Sequence, residues 1–294
     1  MPTVSRIGGA QAATVAVASF SVVLLFACSD GDKQGMAEPT AASTARVDMD
    51  EGGDPGRISV NGRELYLDCR GSGQPTAVME AGGEGHSGSW RFVQPGVANF
   101  TRVCAYDRAG AGQSDPAPDG RHGEEVAEEL HALLQSANVP PPYVLVGHSL
   151  GGILVRYFAL RFPDDVVGMV LIDTSHGDQR ARTRAVLTDE EWQRVSQSLN
   201  EMGPPSITGL DLIGPQLGDL PLIVLSAGQG RDRLSRDVAE RLAEVALQMH
   251  EELAALSTRG VRIIAEESGH GIPQEQPQLV VEAIRDVVNA AAEP

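Results

Sequence analysis

The sequence predicts an α/β protein in which a mostly parallel sheet of eight strands is flanked by helices. Eight short runs rich in Val, Ile and Leu lie at residues 57–60, 64–68, 77–80, 102–106, 143–146, 166–172, 222–226 and 262–265. Segments with helical periodicity separate many of them, at 123–137, 150–162, 233–258 and 277–290. Apolar runs without polar alternation are typical of strands buried on both faces, and their alternation with helices indicates βαβ units.

The beginning of the sheet is expected to be antiparallel. Asn61-Gly62 separates the first two strand-like runs, and this dipeptide is a strong signal for a two-residue hairpin turn. With 294 residues and no internal repeat, the chain is long enough to bury a core without depending on disulfides or metal.

The charge balance excludes one class of partner. Lys and Arg number 23 and Asp and Glu number 40, so the net charge is −17. Nucleic-acid binding requires a basic face, and we expect no nucleic-acid partner. The sequence also lacks an HExxH motif, a CxxC pair and a phosphate-binding loop, so no metal or cofactor is expected.

The amino-terminal region predicts export. Residues 14–27 are almost wholly apolar or small, follow the cation Arg6, and are too few for a membrane-spanning helix of roughly 20 residues. They predict a signal peptide over residues 1–27. The last three residues of this segment together with the next one, Leu25-Phe26-Ala27-Cys28, resemble a bacterial lipobox, although Phe26 departs from the small residue usual there. A lipid on Cys28 would hold the exported protein at a membrane; the alternative is a plain signal peptide with Cys28 incidental.

A flexible tether is expected between this signal and the fold. Residues 28–55 are rich in Gly, Asp, Ala, Ser, Thr and Pro and show no apolar periodicity. Such a segment cannot bury enough apolar surface to offset its ordering entropy. The folded domain is therefore predicted to span residues 56–294.

The strongest functional signal is Gly147-x-Ser149-x-Gly151, which lies between a predicted strand and a predicted helix. That context is the one a nucleophile elbow requires, because glycines on both sides permit the tight turn. The serine then stands at a helix amino terminus, where partial positive charge favours an oxyanion. We therefore predict that Ser149 is a nucleophile.

With this motif, residues 57–290 resemble the α/β-hydrolase fold family. Three further segments occur where that family has functional loops. They are Glu80-Ala81-Gly82-Gly83 after the third strand, Asp107-Arg108-Ala109-Gly110-Ala111-Gly112-Gln113-Ser114 after the fourth, and Ser268-Gly269-His270-Gly271 after the last. The resemblance implies a serine hydrolase with a catalytic triad. Asp107 and Ser114 are expected to be structural residues outside that triad.

A serine hydroxyl is a weak nucleophile, so the reaction needs a base. Among seven histidines we assign His270, because its loop follows the carboxyl end of the final strand, where ligands of parallel sheets gather. We expect His148, inside the elbow, to point away from the substrate. His86 and His176 are candidates for the pocket lining. We expect the other three histidines to lie at the surface; they are His122, His131 and His250.

The triad acid, which orients the imidazole and stabilises the imidazolium, has two candidates. Many members of the family place it after the seventh strand as Gly-x-x-Asp, and here Asp232 falls one position late after Gly228. Asp173 instead follows the sixth strand, a position that resembles some lipases and haloalkane dehalogenases. We favour Asp173 as the acid, with Asp232 as the alternative.

The resemblance also implies an oxyanion hole made of backbone groups. The elbow supplies the N–H of Leu150, the residue after the nucleophile. Alignment of Ala81-Gly82-Gly83 with the family's loop makes the N–H of Gly83 the second donor.

A long charged segment interrupts the rhythm of strands and helices between the sixth and seventh strands. Residues 174–219 contain Gly203-Pro204-Pro205 and one predicted helix near 189–199. An insertion of this length is usually functional, and we expect a small cap over the site. Its mixture of Arg, Asp and Glu differs from an apolar lipase lid and favours a small or moderately polar substrate.

Cys69 and Cys104 remain once Cys28 is set aside. The fold implied by the resemblance places them on neighbouring strands, the second and fourth. An even cysteine count in an oxidising compartment suggests a disulfide between them, and two buried free thiols are the alternative.

The resemblance and the motifs together predict a serine hydrolase that cleaves a small to medium carboxylic ester through an acyl-enzyme. The alternatives are action on amide, lactone or C–C bonds, and a lipid-tethered binding protein of the same fold that has lost catalysis. The expected partner is a small-molecule ester. The sequence leaves the oligomeric state open.

Overall fold

The computed structural model describes residues 56–83, 85–118, 120–200, 207–209, 212, 214, 216–229 and 234–293, with no side-chain description at 197–200. The predicted signal peptide (1–27), the lipidation site Cys28, the tether (28–55) and the alternative acid Asp232 lie outside these residues and stay predictions. Of the helices within the described ranges, none has the length and apolar character needed to cross a membrane.

The described residues form ten strands, eight of which make one sheet. The strands are β1 (Gly56–Val60), β2 (Arg63–Arg70), β3 (Thr76–Glu80), β4 (Val103–Tyr106), β5 (Arg121–His122), β6 (Tyr143–His148), β7 (Val166–Ile172), β8 (Ile207–Thr208), β9 (Leu222–Ala227) and β10 (Gly260–Ala265). The main sheet has the order β1-β2-β4-β3-β6-β7-β9-β10. Only the β1–β2 and β2–β4 pairings in it are antiparallel. The predicted mostly parallel, eight-stranded sheet is confirmed.

Helices cover both faces of this sheet. The α-helices in the described residues are α1 (Gln94–Val97), α2 (Gly123–Ser136), α3 (Leu150–Arg161), α4 (Gln179–Ala185), α5 (Asp189–Asn200), α6 (Arg236–Ala254), α7 (Ile272–Glu275) and α8 (Pro277–Ala291). One layer of core side chains joins α2, α3 and α6 to the sheet, and the other joins α1, α7 and α8. Alternate residues of β6 serve the two layers, since Leu145 packs in the first and Val144 and Val146 in the second.

The antiparallel start of the sheet follows from two local features. Asn61 and Gly62 have φ angles of 49° and 81°, the left-handed conformations that a tight two-residue hairpin requires, and β1 pairs with β2 across them. Cys69 on β2 lies directly opposite Cys104 on β4, and a disulfide joins the two. Both side chains are buried, so the bridge is part of the core between these strands.

The segment between β7 and β9 contains α4, α5 and β8. A small apolar cluster built on Leu187, Val195 and Val238 joins this insertion to α6. Arg182 of α4 binds Glu252 of α6 with two hydrogen bonds of 2.7 Å. The short strand β8 pairs with β5, a contact that the sequence pattern did not predict.

Strand register brings four loops to one edge of the sheet. Glu80 at the end of β3 is level with Gly147 of β6, and His148 is level with Ile172 at the end of β7. Ile172 in turn is level with Leu225 of β9. Since these strands are parallel, the chain leaves each of them at the same edge.

Candidate active site

Ser149 occupies a strained turn between β6 and α3. Its backbone has φ 53° and ψ −120°, a conformation that costs a non-glycine residue about 1–3 kcal/mol. A Cβ at Gly151 would lie 2.2 Å from the carbonyl oxygen of Glu80, and one at Gly147 would lie 2.6 Å from the Cα of Gly152. The glycines of the motif are therefore required by close backbone approach on both sides of the serine.

His270 and Asp173 complete a line of hydrogen bonds with Ser149. The Nε2 atom of His270 is 3.0 Å from Ser149 Oγ, and its Nδ1 atom is 2.6 Å from Asp173 Oδ2. A carboxylate can only accept, so Nδ1 carries the proton and Nε2 accepts the serine O–H. The structure thus brings together the three residues that the sequence singled out as nucleophile, base and favoured acid.

The environment of Asp173 keeps its carboxyl group ionised. Burial opposes the charge, but the hydrogen bonds that the carboxylate accepts from His270 and from the N–H of Ala227 outweigh it, so the pKa of Asp173 lies below its ordinary value. The Ala227 N–H donates to Oδ1 at 3.1 Å. Both carboxylate oxygens therefore have fixed partners, and the side chain has one orientation.

The two expected oxyanion donors belong to segments next to the serine. Leu150 is the first residue of α3, where a backbone N–H has no partner within the helix. Gly83 belongs to the loop after β3, which packs against the elbow: a Cβ on Gly82 would lie 3.0 Å from Ser149 Cβ. The loop that carries Gly83 is therefore adjacent to the nucleophile.

A buried ion pair that no sequence motif indicates holds this loop. Arg108 donates from Nη1 to the carbonyl of Ala81 at 2.6 Å and from Nη2 to that of Gly82 at 3.1 Å, and it also binds the carbonyl of Gly83. The same guanidinium pairs with Glu80, which accepts a hydrogen bond from the Tyr106 hydroxyl as well. Consecutive carbonyls thus face one cation, and this fixes the direction of the peptide units between them.

Replacing Arg108 with methionine is expected to lower the free energy of unfolding by about 3–5 kcal/mol, the usual cost of stranding a buried charge. Only 4% of the Arg108 side chain and 1% of the Glu80 side chain are exposed. Urea denaturation of R108M measures the loss. The double variant E80Q/R108M, which also removes the stranded charge, should recover part of it.

A surface pair provides the matched control for that experiment. Arg161 and Glu128 are paired at 2.9 Å with 59% and 51% of their side chains exposed. Methionine at Arg161 is expected to cost no more than about 1 kcal/mol. Equal losses for R108M and R161M would contradict the structural role of Arg108.

Asp107 and Ser114 bind backbone groups, as expected for structural residues. The two carboxylate oxygens of Asp107 accept the N–H groups of Ser87 and Gln113, each at 2.7 Å. Ser114 donates to the Asp107 carbonyl at 2.6 Å and accepts the N–H of Tyr66 at 2.8 Å. These bonds tie the loop after β4 to its neighbours.

His148 binds the loop of the candidate base. Its Nε2–H donates to the backbone carbonyl of His270 at 2.8 Å. Burial, reinforced by the nearby His270 ring, lowers the pKa of His148 to about 4, so the side chain is neutral at physiological pH. His148 therefore links the elbow to the loop that follows β10.

The expected surface position of His250 is wrong. Only 3% of this residue is exposed, because it lies on the face of α6 that packs on the sheet. The sequence of α6 is rich in charged residues, so the sequence pattern alone does not show which of its faces is buried. His131 also lies partly buried, stacked on Phe162 and 3.0 Å from Asp165, whereas His122 caps α2.

The other two histidines belong to local turns. His86 caps a short 3₁₀ helix by accepting the N–H of Gly88. His176 is buried beside the insertion, and its Nδ1 accepts the N–H of Asp178 at 3.1 Å. In the described residues both side chains thus satisfy neighbouring backbone donors.

Comparison with known proteins agrees with this architecture. Residues 76–203 match the family model described as alpha/beta hydrolase fold. The uncharacterized protein YqjL of Bacillus subtilis (strain 168) is 31% identical over 235 residues, which cover 76% of this chain and 87% of that protein.

Two solved structures share the fold at low sequence identity. A thermophilic esterase from Thermogutta terrifontis has a TM-score of 0.60 and 20% identity, covering 81% of this chain and 99% of that chain. The enol-lactonase from Burkholderia xenovorans LB400 has a TM-score of 0.57 and 16% identity, covering 79% and 99%. The fold, the matched family model and the similarity to the Bacillus protein lead to one conclusion: this chain belongs to the α/β-hydrolase fold family.

Proposed function

We propose that this protein is a serine hydrolase that cleaves small to medium carboxylic esters through an acyl-enzyme. The observation that carries the proposal is the hydrogen-bonded line from Ser149 through His270 to Asp173, with distances of 3.0 and 2.6 Å. These distances are within the range that a nucleophile, its base and an orienting acid require.

In the proposed acylation step, His270 acts as the base, because its Nε2 atom is the one free to accept a proton. Ser149 Oγ attacks the ester carbonyl carbon while its proton passes to Nε2 of His270. The imidazolium is stabilised by the ionised Asp173, and the N–H groups of Leu150 and Gly83 are the proposed donors to the oxyanion. When the tetrahedral intermediate collapses, the bond to the leaving alcohol breaks and His270 returns the proton to that alcohol.

Deacylation reverses the same roles with water. His270 takes a proton from a water molecule, whose oxygen attacks the acyl carbon on Ser149. Collapse of the second tetrahedral intermediate releases the carboxylic acid, and Ser149 Oγ regains the proton from His270. No step needs a group beyond these side chains, the two backbone donors and water.

The preference for a small or moderately polar ester rests on the insertion between β7 and β9. In its described part, the insertion is rich in charged side chains, among them Arg184, which pairs with Asp189 at the surface. Such a surface contrasts with the apolar face that a long acyl chain requires. The fold itself does not select a substrate, because the α/β-hydrolase architecture hosts many chemistries.

A substrate series tests the proposal. The full-length chain is assayed with p-nitrophenyl acetate, butyrate, octanoate and hexadecanoate, with the matching p-nitroanilides, and with a lactone. Labelling by a fluorophosphonate is followed by mass spectrometry. We expect turnover of the short and medium esters, slower turnover of hexadecanoate and anilides, and a label on the peptide containing Ser149.

Other outcomes select the alternatives. A folded chain with neither turnover nor labelling supports an inactive binding protein of this fold. Labelling together with preferred cleavage of anilides or of the lactone moves the substrate class to amides or lactones. Labelling without cleavage of any of these substrates leaves C–C bond hydrolysis as the remaining candidate.

A further inference from the structure

A second histidine lies near the proposed triad acid, 4.0 Å from the carboxylate oxygen that does not bind His270. His250 projects from α6, and its two ring nitrogens bind the ends of two different strands. Nδ1 is 2.9 Å from the hydroxyl of Ser226, and Nε2 is 3.0 Å from the backbone carbonyl of Thr174. Both contacts are buried.

The partners determine which ring nitrogen carries the proton. The Thr174 carbonyl can only accept, so Nε2 bears a hydrogen, and in the neutral ring Nδ1 accepts the hydroxyl proton of Ser226. Burial lowers the pKa of His250, and Arg262 and Arg156 act in the same direction, although Asp173 and the Thr174 carbonyl oppose them. The ring is thus a neutral donor at one end and a neutral acceptor at the other.

One partner of His250 is adjacent in the chain to Asp173, and the other is adjacent to a residue that binds Asp173. Thr174 is the next residue in the chain, and Ser226 precedes Ala227, whose N–H binds Asp173 Oδ1. Asp173 has φ 38°, a left-handed conformation that surrounding contacts must maintain. His250 binds the residue that follows this strained position and the residue that precedes Ala227.

We propose that His250 is a positioning residue for the acid of the triad, which it holds by joining the ends of β7 and β9. The inference rests on the proposed function. His250 acts through Thr174 and Ser226, since its Nδ1 is 4.0 Å from Asp173 Oδ1 and outside hydrogen-bond distance.

Neutrality is part of this role. A charged ring at position 250 would place a cation beside Oδ1 of Asp173 and compete with the imidazolium that forms on His270 during the reaction. Glutamine offers a neutral amide with one donor end and one acceptor end, so it can bind both Thr174 and Ser226. Alanine offers neither.

Kinetics of His250→Ala, His250→Gln and Ser226→Ala in the full-length chain test the proposal, with active sites titrated by a fluorophosphonate. We expect H250A to lower kcat by about 10- to 100-fold with little change in KM, as for a misplaced catalytic group. H250Q should recover most of that loss, and S226A should give a smaller loss of kcat. His131→Gln, the same change at a partly buried histidine on α2, is the control.

Several results would overturn the inference. One is an H250A enzyme whose kcat per titrated site equals that of the parent. Another is a fall in kcat that is the same in H250A and H250Q and that parallels a fall in their thermal stability. If H250A does not fold, the S226A variant provides the test. A kcat of S226A equal to that of the parent would contradict the positioning role of His250. A parent chain without Ser149-dependent turnover would instead refute the proposed function, and the inference with it.

Discussion

Replacing Ser149 with alanine is expected to abolish ester turnover, lowering kcat by roughly 10⁶-fold, as when the serine of a serine–histidine–acid triad is removed. Without Oγ no acyl-enzyme can form, and the base has no proton to accept from the protein. The backbone donors of the proposed oxyanion hole remain, so a small residual rate over water is expected. Steady-state hydrolysis of p-nitrophenyl butyrate measures the loss.

The control for this variant is Ser196→Ala. Ser196 lies on α5 and bonds only its local helix backbone, at the Gln193 carbonyl, among the contacts described for it. S196A should label with a fluorophosphonate and turn over ester as the parent does, whereas S149A should do neither. Undiminished labelling of S149A would place the nucleophile elsewhere in the chain.

Replacing Asp173 with asparagine is expected to lower kcat by about 10⁴-fold, the effect of a carboxylate-to-amide change in such a triad. The structure supplies a specific reason. The Ala227 N–H donates to Oδ1, so the asparagine oxygen is retained there and its amide NH₂ faces His270. Nδ1 of His270 must then accept, which moves the ring proton to Nε2, where it prevents His270 from accepting the proton of Ser149.

The matched control for D173N is Asp232→Asn, which changes the alternative acid in the same way. We expect D232N to retain kcat within a few-fold and D173N to lose nearly all of it, with both measured per titrated active site. The opposite pattern would assign the acid to Asp232. Asp173 would then be a strand-end residue that binds His270 without supporting turnover.

The sequence predicted the parts of the fold that depend on local patterns. Short apolar runs identified all eight strands of the main sheet, and Asn61-Gly62 identified its antiparallel start. Ser149 was identifiable because the elbow needs glycine at fixed positions. His270 was a candidate because its loop follows the carboxyl end of the final strand, and Asp173 was favoured over Asp232 because the resemblance offers the end of the sixth strand as a place for the acid.

The contacts that the sequence did not predict depend on burial of polar groups. Glu80 and Arg108 look like ordinary charged residues at the end of a strand and in a loop, and their pairing requires the β3–β4 register. His250 lies in a helix whose polar composition masks its buried face. The strands β5 and β8 have two residues each, too few to show any periodicity.

Helix α6 contacts both the insertion and the strand ends beside the proposed triad acid. Arg241 binds Glu191 of α5, and Glu252 binds Arg182 of α4, while His250 on the same helix binds the strand ends beside the acid. A substitution that shifts α6 against the insertion is therefore expected to displace His250 as well. Over evolutionary time, we expect changes of specificity to accumulate on the surfaces of α4 and α5 that face away from α6. We expect less variation at the α6 contact, because a change there should alter turnover as well.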